Sequence, residues 1–261
     1  MRLQDLQPNA LAELRCPTAL APAALAELSR SGFCVVPQWL SPAATEAVLL
    51  DTQSCDAAGL PRRAGVRAVH AIDDDTRRSS ILPLYPPPRP SAGSVDVRLA
   101  LSEAVRRLGD QLEAGLPGLP ALSPFCTELA YLFYPAGGFY LRHMDVPTTR
   151  AGWTLRGRSP EDGGSFSGAA TRREVSMLLY LHANWDRAWG GSLRISVRDE
   201  GGGGDEEQGT ESYVDVVPEG GTLVLMRSDR VPHEVLETRR PRNCLVGWFR
   251  QELLFGGSGR S

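Results

Sequence analysis

No lysine occurs in this chain: all 28 basic residues are arginine, and nothing in the sequence supplies a physical reason for the bias. Paired cysteines are missing too. Cys16, Cys34, Cys55, Cys126 and Cys244 are scattered, odd in number and form no CxxC. That argues against a disulfide framework or a cysteine zinc site and fits a reducing compartment. No apolar run approaches the length of a membrane span, and the opening MRLQDLQPNALAELR lacks the apolar centre of a secretory signal. Charge of one sign is not in excess: 28 basic against 31 acidic residues give a net −3. Such a balance argues against wrapping nucleic acid or lying on an anionic membrane. Together these absences lead us to expect a soluble protein of the cytoplasm or nucleus, with no nucleic-acid and no membrane partner.

What is present suffices for one sizeable β domain: 261 residues, 42% of them hydrophobic. The first third reads helix, strand, helix. Pro22 to Arg30 is amphipathic and stops at Gly32, FCVV at 33–36 is a short strand, and Ser41-Pro42 caps a helix predicted to run to about Asp51. Residues 56–80 read as a loop or irregular hairpin, and the proline-rich 81–94 as irregular. Val97, Leu101, Val105, Leu108 and Leu112 lie on one face of a helix near 95–114, as core positions do. From Cys126 onward short strands with turn signals follow, at 126–134, 139–145, 174–181, 191–196, 212–216, 222–226, 233–237 and 243–250. We expect a mainly β domain of sandwich or barrel type with N-terminal helices: support region 1–120, core 121–254 and a flexible tail 255–261. Polar insertions at 148–172 and 199–211 interrupt it, the second acidic and solvated.

Histidine is scarce, with only His70, His143, His182 and His233. His143-Met144-Asp145 is an H-x-D at a predicted strand end, where period two puts both side chains on one face. His233 opens the strand HEVLE. Two imidazoles and one carboxylate are the facial triad of non-haem Fe(II) oxygenases, although the same set can hold catalytic zinc. Nine residues after His233 stands Arg242. Arg239-Arg240-Pro241 reads as a solvated turn, so Arg242, Cys244, Val246 and Trp248 share one strand face directed into the cavity of His233. An arginine fork there matches the far carboxylate of a 2-oxoacid that chelates iron at its other end. His182 reads as a polar residue at a strand end, and His70 as unrelated to the metal.

On these residues the stretch from about Phe125 to Phe249 resembles the 2-oxoglutarate/Fe(II)-dependent oxygenases, and within them the hypoxia-factor type of prolyl hydroxylase and its bacterial relatives. The matching segments are LFYPAGGFYLRHMDVP (132–147), VSMLLYLHANWDRAWGGSLRIS (175–196), VVPEGGTLVLMRSDRVPHEV (216–235) and RNCLVGWF (242–249), with GFCVVPQWL (32–40) ahead of them. The resemblance implies a double-stranded β-helix (jelly roll, cupin-like). It implies Fe(II) on His143, Asp145 and His233, and 2-oxoglutarate on Arg242, Tyr180 and Tyr134. Arg173, Trp248 and Tyr140 would lie near the substrate. It further implies O2 as co-substrate, ascorbate as reductant, and a proline-containing protein or peptide as substrate, with release of succinate and CO2.

Two departures stand out. Asp145 and Tyr180 are 35 residues apart, further than in the relatives, and the intervening 148–172 is expected to form a lid carrying Trp153 or to hang in solvent. Residues 56–80 match the relatives' mobile substrate loop poorly. The competing readings are the same chemistry on a free amino acid or other small molecule, a non-catalytic 2-oxoglutarate-binding module, and a zinc hydrolase that leaves Arg242 and Tyr180 without roles.

Overall fold

The computed structural model describes residues 9–65, 72–84, 92–123, 128–146, 149–157, 168–198 and 211–255. His70, most of the acidic 199–211 and the tail beyond Phe255 lie outside the described residues.

The first residues build a helical layer. Helices α1 (Ala10–Arg15), α2 (Pro22–Ser31), α3 (Pro42–Ala57) and α4 (Val95–Gly115) alternate with strands β1 (Phe33–Val36), β2 (Arg62–Arg63) and β3 (Ser80–Pro83). The caps are those the sequence dictates. Ser41 accepts from the Ala44 amide at 3.2 Å with Pro42 in the first turn, and Ser94 accepts from Val97 at 3.3 Å. Gly32 closes α2 at φ +78°.

Helix α3 runs six residues past the predicted stop at Asp51. Asp51 and Thr52 look like a polar boundary, yet both face inward and are buried. Asp51 accepts from Arg98 Nε at 2.9 Å, Arg98 Nη2 at 3.1 Å and the Tyr131 hydroxyl at 2.8 Å. A charge paired this fully belongs inside a helix interface. Strand β3 likewise corrects the irregular reading of 81–94 at its start, over 81–83. Its partner β2 covers only Ser80 and Ile81, so the missing amide of Pro83 leaves no ladder bond unmade.

The rest of the chain is a double-stranded β-helix of two facing sheets. Its strands are β4 (Glu128–Tyr134), β5 (Gly138–His143), β6 (Thr154–Gly157), β7 (Gly168–Tyr180), β8 (Leu193–Arg198), β9 (Glu211–Val216), β10 (Leu223–Arg227), β11 (His233–Thr238) and β12 (Arg242–Phe255). The large sheet runs β1-β10-β7-β12-β4-β3-β2, with β6 added on β7; the small one runs β5-β11-β8-β9. Through its centre the large sheet is buried on both faces, which is why the second half of β7, VSMLLY at 175–180, reads as a nearly unbroken apolar run. Val175, Met177 and Leu179 pack against the helices with Leu101, Leu108 and Leu112. Leu178 and Tyr180 point the other way, into the layer between the sheets, with Cys244, Val246, Ile195 and Val235.

Along its described length, 149–157 and 168–172, the 148–172 insertion joins the large sheet. A 3₁₀ turn at Thr149–Gly152 leads into β6, whose Thr154–Gly157 pair with residues 168–171 of β7. The same part of β7 pairs on its other edge with Glu252–Phe255 of β12, past a bulge at Phe249/Arg250. Strand β7 therefore begins at Gly168, six residues before the predicted start at 174. No described helix is long and apolar enough to cross a membrane.

Candidate active site

Strand pairing creates the site. His143 ends β5, His233 begins β11, and the two are cross-strand partners in the small sheet, their ring centroids 4.3 Å apart. Asp145 follows β5 at a bend. Its carboxylate oxygens stand 3.7 Å from His143 Nε2 and 3.8 Å from His233 Nε2. Those separations are too long for hydrogen bonds. Metal bonds of about 2.0–2.2 Å to nitrogen and oxygen can bridge them from a common centre. All three ligand atoms lie within 4.8 Å of one another.

Backbone carbonyls aim both rings. His143 Nδ1 sits 2.8 Å from the Leu141 carbonyl, and His233 Nδ1 3.0 Å from that of Val231. A nitrogen facing a carbonyl must carry the proton, so each Nε2 presents its lone pair toward Asp145. Burial, reinforced by His233, lowers the His143 pKa to about 4, which keeps it neutral at ordinary pH. Burial alone would raise the Asp145 carboxyl; His233, His143 and Arg173 outweigh it and hold the group well below the usual carboxylate range, with the Ser176 hydroxyl adding to the effect.

The opposite sheet supplies a second feature. Arg242 is fully buried at the start of β12, paired across the strands with Tyr134. Its guanidinium carbon lies 5.0 Å from the Tyr134 ring centre and 5.1 Å from that of Tyr180. Among the described residues none of its three nitrogens has a well-formed hydrogen bond, and neither has the Tyr180 hydroxyl beside it. An unpaired buried cation costs several kcal/mol, so this geometry calls for an anion. Burial pushes the Tyr134 hydroxyl up to about 12 and that of Tyr180 higher still, with Arg242 partly offsetting both. Both hydroxyls stay protonated and can donate. Space for Arg242 is secured by Gly191 at φ +72°, where a Cβ would stand 3.0 Å from Thr238 Cβ and 3.2 Å from Arg242 Cδ. Arg239 and Arg240 are exposed, the latter over Trp189 at 4.4 Å.

The other residues singled out in the sequence sit around these two features. Tyr140 stacks on His143 with centroids 3.6 Å apart. Arg173 lies 3.8 Å over the ring of Trp248, donates to the Asp145 carbonyl at 3.1 Å and pairs with Glu128 at 2.7 Å. It is thus engaged in holding the ligand segment. His182 stays out of the ligand cluster: its Nε2 accepts from the Asn243 amide at 2.8 Å, one residue past Arg242. Sequence reasoning missed Arg77, whose guanidinium lies 4.5 Å over Tyr140, because nothing in an irregular loop marks it. It also missed Ser176, although period two with Leu178 and Tyr180 places it on the inner face.

Comparison with known proteins agrees with this arrangement. The 2OG-Fe(II) oxygenase superfamily matches residues 129–250. A Pseudomonas putida prolyl-4-hydroxylase is 27% identical, with a TM-score of 0.63 over 88% of this chain and 97% of its own. A Trichoplax adhaerens prolyl hydroxylase, solved with a hypoxia inducible factor peptide fragment, shares the fold at 20% identity and a TM-score of 0.68, covering 94% of each chain. A non-heme alpha ketoglutarate dependent carbocyclase of nogalamycin biosynthesis shares it at 14% identity and 0.58, over 93% of this chain and 90% of its own. A facing-sheet fold, three convergent candidate ligands and a buried arginine thus coincide in one domain, whose residues 129–250 match the 2OG-Fe(II) oxygenase superfamily and which is prolyl-hydroxylase-like in its similarity.

Proposed function

We propose that this oxygenase hydroxylates a prolyl residue of a protein in the cytoplasm or nucleus. In this reading His143, Asp145 and His233 hold Fe(II), and Arg242 with Tyr180 holds the distal carboxylate of 2-oxoglutarate. The observation that carries the co-substrate assignment is the buried Arg242 guanidinium, which has no well-formed hydrogen bond among the described residues. A dicarboxylate with a keto group beside one end satisfies both halves of the site at once. The donor set, two imidazoles and one carboxylate, is one that suits Fe(II).

When bound, Fe(II) and 2-oxoglutarate supply the oxidising chemistry: O2 is consumed, the co-substrate becomes succinate and CO2, and one oxygen atom enters a C–H bond. The chain's own residues prepare that event. Nδ1–H donation to Leu141 and Val231 fixes both imidazoles. Arg242 and the Tyr180 hydroxyl orient the co-substrate through charge-assisted hydrogen bonds. Tyr134, across the ladder from Arg242, walls the same end. Leu178, Ile195, Val235 and Val246 line the layer and exclude water from it.

The prolyl reading is supported by the similarity to the Pseudomonas prolyl-4-hydroxylase. It is also supported by two half-buried aromatic rings beside the ligand segments, Tyr140 and Trp248, which suit a pyrrolidine ring. Ascorbate would serve as the reductant that restores Fe(II) after turnovers without substrate. Anaerobically purified, Fe(II)-loaded protein tests the proposal by succinate release with and without proline-containing peptides, with peptide mass read in parallel. Peptide-dependent succinate with a gain of one oxygen atom is expected. Stimulation by free amino acids but by no peptide replaces the prolyl-protein substrate with a small molecule.

A further inference from the structure

Arg172 lies on β7, next to Arg173, and no motif of the sequence marks it. Its three nitrogens reach three different segments. Nε donates to the Ala151 carbonyl at 3.0 Å, Nη1 to Glu174 Oε1 at 2.9 Å and Nη2 to Asp229 Oδ2 at 2.6 Å. Each of the three leads somewhere.

Ala151 belongs to the inserted 3₁₀ turn. It has φ +49° and Gly152 has φ +86°, a left-handed pair that a residue with a Cβ adopts only when neighbours hold it there. A Cβ on Gly152 would stand 3.2 Å from Arg172 Nε and 3.4 Å from Val146 Cβ. The turn is therefore wedged between Arg172 and the residue that follows the ligand Asp145.

Asp229 lies in the turn ahead of β11. Two residues on is Val231, whose carbonyl takes the Nδ1 proton of the ligand His233 at 3.0 Å. A shift of Asp229 moves that carbonyl, and with it the direction of His233 Nε2. The same turn is pinned to β7 by the Ser228 amide, which donates to the Glu174 carbonyl at 3.1 Å, and by Ser228 and Ser176 hydroxyls 2.8 Å apart. Glu174 is 1% exposed, and its other cation, Arg227, stands off at 3.9 Å.

We propose that Arg172 is a positioning residue that clamps the Asp145-bearing and His233-bearing segments together, and that the inserted turn at 149–152 is thereby part of the metal site's support. The inference rests on the metal-site reading above. It gives the insertion a role different from a lid: the insertion sets ligand geometry through Arg172 instead of covering substrate. The three donor directions of a guanidinium fit this task, and neither a lysine ammonium nor an uncharged side chain of equal length can reproduce them.

Mn(II) affinity of the apoprotein, read from the electron paramagnetic resonance signal of the free ion, tests the clamp beside the thermal midpoint of the same apoprotein. Arg172→Met should raise the Mn(II) Kd about tenfold or more, as loss of outer-layer partners of metal ligands does. Arg172→Lys should recover part of the loss. Asp229→Asn, which leaves the insertion and Arg172 in place, should weaken Mn(II) in the same direction, and it alone decides the matter if Arg172→Met does not fold. Mn(II) affinity within twofold of wild type in the folded variants, whatever their thermal midpoints, overturns the clamp. Failure of the wild-type protein to bind Mn(II) overturns the metal-site reading instead.

Discussion

Replacing Arg242 by methionine should move two measurements in opposite directions. The side chain is fully buried, and none of its nitrogens has a well-formed hydrogen bond among the described residues. Without co-substrate, the folded state bears the cost of a desolvated cation. Apolar replacement of buried ionic groups is often neutral or stabilising by about 1–4 kcal/mol. A chain of this size gains roughly 2–4 °C in Tm per kcal/mol. The apoprotein of Arg242→Met should therefore melt at or above the wild-type temperature. With 2-oxoglutarate the balance reverses. Truncating one partner of a buried charged pair costs roughly 2–5 kcal/mol. At 1.4 kcal/mol per decade this weakens 2-oxoglutarate by about thirtyfold to several thousandfold. Thermal shift of the Mn(II)-loaded protein, with and without 2-oxoglutarate, reads both effects, and titration calorimetry gives the Kd. A co-substrate Kd within threefold of wild type would refute the anchoring role. A large fall in the apoprotein Tm would show that Arg242 is satisfied inside the protein after all.

Alanine at His143, Asp145 or His233 should abolish succinate release under limiting Fe(II), and full turnover in any of the three removes that residue from the ligand set. The pH dependence of apoprotein stability should carry the mark of His143, whose pKa falls from 6.5 to about 4 on burial. Between those values the unfolded chain takes up a proton that the folded chain refuses, so stability is full above about pH 6.5 and is lost as pH falls toward 4. Denaturant unfolding at several pH values should show a shallower slope there for His143→Gln, and an unchanged slope argues against the assignment. Asp51→Ala should strand Arg98 and the Tyr131 hydroxyl beneath the large sheet. Breaking such a buried pair costs about 3–5 kcal/mol, or about 6–20 °C in Tm; calorimetry showing a loss under 3 °C would mean that the cluster is dispensable.

The parts of the fold legible in the sequence are those with local causes. Ser41-Pro42 and Gly32 announce their helix ends because capping acts within a turn. The turn Arg239-Arg240-Pro241 sets the phase of β12, so period two alone puts Arg242 on the inner face with Cys244 and Val246. The parts that escaped have distant causes. Asp51 reads as a helix stop until Arg98, 47 residues away, is known to meet it. The start of β7, GAATRR, has one β-branched residue and joins the sheet because β6 and β12 flank it. Arg172 and Asp229 are 57 residues apart, and an ion pair at that separation leaves no pattern along the chain. Likewise Arg77 reaches Tyr140 only because its segment pairs along the edge of β5.

His143 and His233 belong to the small sheet, whereas Arg242 and Tyr180 belong to the large one. Facing sheets keep a spacing of about 10 Å, set here by packed side chains such as Leu178, Ile195 and Val246. The sandwich is therefore a ruler laid across the cavity, with the three candidate ligands at one end and Arg242 at the other. A 2-oxo diacid one carbon shorter than 2-oxoglutarate could chelate but would fall short of the arginine, and one carbon longer would have to buckle to fit. Selectivity for co-substrate length would then be written in the thickness of the protein's inner layer, and core substitutions far from either end, such as Leu178→Ala, should loosen it.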